Sequence, residues 1–173
     1  MAEKWDVYDS FGNLTGKTVY RGKSALAPKE YHLVVHIWII SKKGNFLIQR
    51  RSDNKKLMPG EWAATGGAAI AGENSFNAAK RELFEELGIA TDEDTLIKIA
   101  RFKKRNSFID VYATLCDTPA EKLKLQKSEV AAAKWVSEGT LKKMISENGF
   151  HNYGKEYFDC LFSKINEFRR VTI

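Results

Sequence analysis

The chain has few cysteines and no long apolar run, and these two features limit the classes of protein to which it can belong. Its two cysteines, Cys116 and Cys160, lack the spacing of a zinc site. We interpret them as reduced, buried thiols of a cytoplasmic protein. No apolar run approaches the ~20 residues that span a membrane, and the N-terminal residues lack the three-part pattern of a signal peptide. We therefore expect a cytoplasmic protein with no membrane partner.

The length of the chain indicates how many domains it forms, and its net charge indicates the charge of its ligand. The 173 residues suit a single domain, 1–173, with an N-terminal hairpin (1–23), a core (31–136) and C-terminal helices (137–173). The net charge of +6 indicates an anionic partner. Because the basic residues are scattered and no RNA-binding motif is present, a phosphate-bearing small molecule is favoured over nucleic acid, which stays open. A homodimer also stays open.

The segment from Ser75 to Leu87 is predicted to be a helix with two different faces. Asn74 or Ser75 can cap its start, and Gly88 suits the left-handed residue just past its end. At 3.6 residues per turn, one apolar stripe is expected to face the core. Its members are Phe76, Ala79, Leu83 and Leu87.

The second face of this helix is acidic. Glu82, Glu85 and Glu86 are spaced i, i+3 and i+4, so they share one side. With no cation expected on that side, the carboxylates repel each other and a bound cation is the natural counter-charge. Oxygen ligands suit Mg²⁺ or Mn²⁺ better than zinc. A solvated acidic face with ordinary salt bridges is the alternative.

Glycines and an arginine flank the acidic residues. Gly67 and Gly72 are predicted to lie in the loop that enters the helix, where Gly66-Gly67 allows backbone conformations closed to other residues. A backbone carbonyl there can add another oxygen ligand. Arg81 can fork onto Glu85 or Glu73.

This stretch resembles a complete Nudix box: Gly67, five residues, Glu73, seven residues, then Arg81-Glu82-Leu83-Phe84-Glu85-Glu86-Leu87-Gly88-Ile89. The resemblance implies an α/β/α sandwich around a mixed β-sheet, and hydrolysis of a nucleoside diphosphate linked to another group, with Mg²⁺ or Mn²⁺. It also implies that the three glutamates bind the metal with the Gly66 carbonyl, and that Glu73 and Arg81 orient the helix.

Local patterns predict the other elements. Expected strands are Trp5 to Asp9 paired with Gly16 to Arg21, a central Tyr31 to Ile40, Phe46 to Arg50, a short Trp62 to Thr65, Leu96 to Asn106 paired with Phe108 to Leu115, and Lys134 to Val136. One helix opens at Ser137 and ends near Asn148-Gly149, and the last runs from about Tyr153 to Arg169.

Several residues outside the box are candidates with open alternatives. Arg50 and Arg51 are expected to contact substrate phosphate or to form surface salt bridges. Glu129 is a further metal ligand, a general base or a plain surface acid. His32 and His36 share a strand face and could make a site, but core or edge histidines are favoured.

The nearest subgroup suggested by resemblance is that of isopentenyl-diphosphate isomerases and their hydrolase relatives. The resemblance covers the opening Trp5 to Asp9, with Gly12 and Gly16-Lys17, and the segment Met58 to Trp62. The isomerases use a cysteine shortly after that tryptophan, whereas Ala63 to Ala69 contains neither thiol nor histidine. The sequence therefore favours a metal-dependent hydrolase of a diphosphate linkage. An isomerase-like enzyme and a non-catalytic nucleotide-sensing module remain the alternatives.

Overall fold

The computed structural model describes residues 3–23 and 25–172. Met1, Ala2 and Ile173, at the ends of the predicted hairpin and C-terminal segments, lie outside the described residues, as does Ser24. The elements are β1 Lys4–Tyr8, β2 Leu14–Tyr20, β3 His32–Ile40, β4 Phe46–Arg51, β5 Trp62–Ala63, β6 Thr65–Ala68, α1 Ser75–Leu87, β7 Ile97–Lys103, β8 Ser107–Leu115, β9 Val130–Val136, α2 Glu138–Ser146 and α3 Lys155–Thr172.

The main sheet is mixed and has β3 at its centre. Strand β3 pairs parallel with β8 and antiparallel with β4 and β6. Strand β7 extends the sheet beyond β8, while β5 and β9 pair with β4. Strands β1 and β2 form a separate two-stranded sheet. The predicted fold class, with its N-terminal hairpin and C-terminal helix, is confirmed.

Strand β3 is apolar on both faces because helices cover both sides of the sheet. Val35, Ile37 and Ile39 pack in one core with α1. Trp38 and Ile40 pack in the other core with α2 and α3. Continuous burial of a central strand explains why the run from Tyr31 to Ile40 shows no alternation.

Helix α1 has the predicted bounds. The Asn74 side chain accepts a hydrogen bond from the Asn77 amide, and Gly88 ends the helix with φ 70°. Gly67 and Gly72 were expected in the loop that enters α1. Gly72 lies in the turn before the helix, but the prediction is wrong for Gly67, which lies with Gly66 in β6, opposite Val35 and His36 of β3.

Two smaller expectations also need correction. Both cysteines are free, but each is half-buried rather than buried. Strand β9 begins at Val130, four residues before the predicted strand, so Glu129 directly precedes it. None of the described helices is both long and apolar enough to cross a membrane.

Candidate active site

A cleft of about 510 Å³ brings most of the predicted site residues together. The hairpin side supplies Trp5 and Arg21, strand β3 supplies His32, Val34 and His36, and the segment before α3 supplies Tyr153. Strand β6, which pairs with β3, supplies Gly66 to Ala68, and helix α1 supplies Arg81, Glu82, Glu85 and Glu86, while Arg51, Lys55 and Glu129 also line the cleft.

Close contact between β6 and its neighbours explains the two adjacent glycines. A Cβ on Gly66 would lie 2.1 Å from the Val35 carbonyl oxygen. A Cβ on Gly67 would lie 2.3 Å from Glu82 Oε1. The missing side chains therefore let β6 approach β3 and let the carboxylate of Glu82 rest against the strand.

Glu86 is the most enclosed of the three helix carboxylates, with 3% of its surface exposed. Its Oε2 accepts hydrogen bonds from Gln49 Nε2 at 2.9 Å and from the Gly66 amide at 3.2 Å. Burial, and then the charge of Glu82, raise the pKa of Glu86 to about 8, against the opposing effect of those hydrogen bonds. Burial also raises the pKa of Glu82, and Arg81 opposes this shift.

Arg81 lies among the acidic residues and contacts three of them. Its Nε and Nη2 donate to the two Glu73 carboxylate oxygens at 2.8 and 3.0 Å. Its Nη1 donates to Glu82 at 2.9 Å and to Glu85 at 3.1 Å. The expectation that no cation relieves the acidic face is therefore wrong. Arg81 contacts Glu85 and Glu73, the two partners that the sequence predicts, and also Glu82, the next residue, which helical spacing does not assign to it.

The structure separates the two predicted substrate arginines. Arg50 is absent from the cleft lining; it donates to Asp53 at 2.7 Å and to the Gly60 carbonyl at 3.0 Å. Arg50 therefore forms the surface salt bridge that was the alternative to a phosphate contact. Arg51 lines the cleft, where its Nε donates to the Leu57 carbonyl at 3.1 Å.

Glu129 also lines the cleft, and its carboxylate forms an ion pair with Lys55 at 2.5 Å. No sequence motif identifies Lys55 as a cleft residue. The cleft therefore contains the cations Arg51 and Lys55 as well as the acidic residues, and these cations suit an anionic ligand.

The two histidines line the cleft without contacting one another. His32 stacks on Trp5, with ring centroids 4.1 Å apart. His36 Nδ1 lies 2.9 Å from the Tyr157 hydroxyl. Burial lowers the pKa of His32 to about 4 and the pKa of His36 to about 3. Both rings are therefore uncharged at neutral pH.

Tyr153 is a cleft residue that the sequence interpretation missed. Its hydroxyl accepts a hydrogen bond from the Ala64 amide at 3.2 Å, and its ring lies 4.6 Å from that of His36. The residue lies just before α3, far along the chain from the box, and no local pattern distinguishes it from the core aromatics nearby.

Within residues 3–23 and 25–172, no three or more His, Cys, Asp or Glu side chains converge closely enough, as they stand, to hold a metal ion. Arg81 draws Glu82 and Glu85 toward itself, while Glu86 turns to Gln49 and Gly66. Even so, the three carboxylates share one wall of the cleft, and they are hard oxygen donors.

Comparison with known proteins gives the same family as the box. The family model described as NUDIX domain matches residues 30–154. An uncharacterized Nudix hydrolase of Listeria monocytogenes is 39% identical over 152 residues, which cover 87% of this chain and 89% of that protein. The predicted likeness to the isopentenyl-diphosphate isomerase subgroup stays a prediction.

Solved structures share the fold. The crystal structure of DR0079 from Deinococcus radiodurans superposes with a TM-score of 0.74 at 24% identity, covering 87% of this chain and 93% of that one. The NUDIX domain of Shewanella oneidensis NrtR has a TM-score of 0.60 at 19% identity, with coverage of 88% and 94%. With the family model matched across most of its length, this chain belongs to the Nudix hydrolase family.

Proposed function

We propose that this protein hydrolyses a diphosphate linkage in a small molecule, such as a nucleoside diphosphate derivative, with Mg²⁺ or Mn²⁺. The observation that carries the proposal is the wall of three carboxylates in a cleft that also contains Arg51 and Lys55; Glu86 is buried, and 14% of the Glu82 side chain is exposed. Anions and a divalent cation are complementary ligands for such a cleft.

The residues present fit a hard divalent cation. Burial raises the pKa values of Glu82 and Glu86, so the protein itself compensates their charges incompletely. Arg81 contacts Glu82 and Glu85 directly, whereas Glu86 accepts hydrogen bonds from the neutral Gln49 and Gly66 groups. Glu82, Glu85, Glu86 and the Gly66 carbonyl would hold the ion, and all four supply oxygen.

The chemistry that Mg²⁺ or Mn²⁺ supplies at such a site is neutralisation of phosphate charge and a lowered pKa of water. Arg51 and Lys55, which line the same cleft, would bind the diphosphate. Glu129, or one of the helix glutamates, would accept the proton of the attacking water. Arg81 and Glu73 would fix the helix that carries the acidic residues.

The predicted division of the chain supports one functional domain. We infer that the hairpin, the core and the C-terminal segment act together, because Trp5, His36 and Tyr153 line the same cleft. Each of the three predicted segments therefore contributes to the proposed binding surface.

The test is a panel of diphosphate compounds incubated with Mg²⁺ or Mn²⁺, with the products separated by anion-exchange chromatography, because a coupling phosphatase would itself release phosphate from compounds with a terminal phosphate. The panel includes ADP-ribose, because the Shewanella NUDIX domain was crystallised with it, together with nucleoside di- and triphosphates and isopentenyl diphosphate. We expect at least one to be hydrolysed. Glu86→Gln should lower kcat at least ~100-fold, and the exposed Glu121→Gln should leave it unchanged.

Two results would contradict the proposal. The first is that the wild-type protein hydrolyses no compound in the panel. The second is that Glu86→Gln keeps its kcat within about threefold of wild type at saturating Mg²⁺, which would remove Glu86 from the site.

A further inference from the structure

A fully buried hydroxyl connects the C-terminal helix to the cleft. Tyr157, in α3, has no exposed surface. Its hydroxyl oxygen lies 2.9 Å from His36 Nδ1 and 2.9 Å from Trp38 Nε1. His36 and Trp38 are two residues apart on β3, so both side chains lie on the face of the sheet that α3 covers.

The hydrogen-bonding capacities of these groups determine the tautomer of His36. The Trp38 indole nitrogen can only donate, so the Tyr157 oxygen accepts that bond. The hydroxyl has one proton to give, and His36 Nδ1 is the remaining partner within reach. If Nδ1 carried a proton, the buried hydroxyl proton would lose this acceptor, which is unfavourable. His36 is therefore neutral, with Nδ1 accepting and the proton on Nε2.

The second ring nitrogen of His36, Nε2, has no hydrogen-bond partner within the described residues. It is absent from the set of unpaired polar atoms that are fully enclosed, so part of its surface is accessible. His36 itself lines the cleft and lies opposite Gly66 in the sheet register. Gly66 in turn donates its amide to Glu86. A single residue of β6, Gly66, thus links His36 to the Glu86 carboxylate.

We propose that His36 binds the substrate by donating its Nε2–H to a diphosphate oxygen, and that Tyr157 is a positioning residue that holds His36 in the required tautomer. The inference rests on the proposed function, because the diphosphate is taken to lie over the neighbouring carboxylate wall. A neutral donor suits this place, since it binds an anionic oxygen without competing with a cation for the glutamates.

The tautomer can be measured without any substrate. The chain has three histidines, so a long-range ¹H–¹⁵N spectrum of the ring nitrogens is simple to assign with His36→Gln. We expect His36 to show an unprotonated Nδ1 and a protonated Nε2. Tyr157→Phe should shift both nitrogens toward a mixture of tautomers. A proton on Nδ1 in the wild type, or an unchanged His36 in Tyr157→Phe, would overturn the inference.

Tyr112→Phe is the matched control for the loss of a buried hydroxyl. Tyr112 is 4% exposed, and its hydroxyl donates to Ser75 at 2.8 Å on the α1 side of the sheet. It does not line the cleft. This variant should leave the His36 ring nitrogens and the kinetics unchanged, which separates the specific role of Tyr157 from a general loss of packing.

Contact with phosphate is tested with inorganic pyrophosphate and Mg²⁺. Titration should shift the His36 Nε2–H resonance in the wild type, and an unshifted resonance on saturation would contradict the contact. On any compound that the wild type hydrolyses, His36→Leu should lower kcat/KM about 10- to 100-fold, the worth of one hydrogen bond to a charged group. His36→Gln should recover part of this loss, since its amide offers a donor.

The two proposals fail in different ways. If the wild type hydrolyses a compound while His36→Leu keeps kcat/KM within about threefold, the role of His36 is wrong and the hydrolase stands. If pyrophosphate shifts the His36 resonance but no compound is hydrolysed, the contact stands and the hydrolase does not.

Discussion

Replacing Glu86 with glutamine should stabilise the metal-free protein while removing most of its activity. The Oε2 atom of Glu86 accepts both of its hydrogen bonds, from Gln49 and from the Gly66 amide. Glutamine is nearly isosteric, and its amide oxygen can take the position of Oε2 and keep both bonds. The substitution then removes a buried charge beside Glu82 and leaves the packing intact.

The magnitude follows from the pKa of Glu86, which burial and the charge of Glu82 raise from 4.5 to about 8. Between these two pH values the folded protein binds more protons than the unfolded chain. The free energy of unfolding should therefore fall as the pH rises through this window and level off above it. Each pH unit within the window is worth up to ~1.4 kcal/mol, which amounts to about 3 kcal/mol by pH 7. Glutamine does not titrate, so the variant escapes this loss.

The assay is urea unfolding in the presence of EDTA, for wild type and Glu86→Gln, across this pH window. The stability advantage of the variant should be small near the acidic end and reach about 3 kcal/mol near neutrality. Comparing the two proteins at each pH cancels the contributions of shared groups that do not interact with Glu86. Glu121→Gln, on an exposed residue, should follow the wild type. A variant advantage that is absent, or that does not change with pH, would refute the reasoning.

Four further predictions follow from the same geometry. Millimolar Mg²⁺ should raise the Tm of the wild type but not that of the Glu82→Gln plus Glu86→Gln double variant, because the proposed ligands are lost; equal shifts would place the metal elsewhere. Burial lowers the pKa of His36 from 6.5 to about 3, so the unfolded chain binds more protons and the free energy of unfolding should fall as the pH drops through this window, by up to ~1.4 kcal/mol per pH unit. Urea unfolding should show a shallower fall for His36→Gln, and equal slopes would contradict this. Gly67→Ala should lower activity with little loss of Tm, because its Cβ meets the end of the Glu82 side chain. Gly66→Ala should lower Tm, because its Cβ meets backbone atoms of β3. A larger loss of Tm for Gly67→Ala than for Gly66→Ala would be inconsistent with these contacts. Isopentenyl diphosphate incubated in deuterated water with Mg²⁺ should take up no deuterium by NMR, and uptake without phosphate release from any nucleotide would favour the isomerase.

Features that depend on neighbouring residues were predictable from the sequence. Helix α1 begins and ends where its caps and its apolar period place it, because Asn74 and Gly88 act within one turn of the chain. The β1–β2 hairpin and the central strand β3 were also predictable, since a short turn and a continuous apolar run are local signals.

Features that depend on close approach in space were not predictable. Glycines at 66 and 67 suggest backbone freedom and hence a loop. Gly66 uses that freedom within a strand, with φ 156°, and at both positions the absence of a Cβ allows close contact. They bring β6 against β3 and against Glu82. Sequence alone does not distinguish these two uses of glycine. In the same way, Tyr157 lies on a helical stripe that predicts burial, whereas the partners of its hydroxyl come from β3.

The box pattern predicts which acidic residues share a face but not how unequally their charges are compensated. Arg81 contacts Glu82 and Glu85, and Glu85 is half exposed to solvent. Glu86 accepts hydrogen bonds from Gln49 and Gly66. The charge of Arg51 lowers the pKa of Glu86 less than these hydrogen bonds do. A cation that enters this wall therefore gains most from the charge of Glu86. Since the same burial makes that charge unfavourable without a cation, the proposed metal site and the predicted loss of stability of the metal-free protein near neutral pH would have one cause.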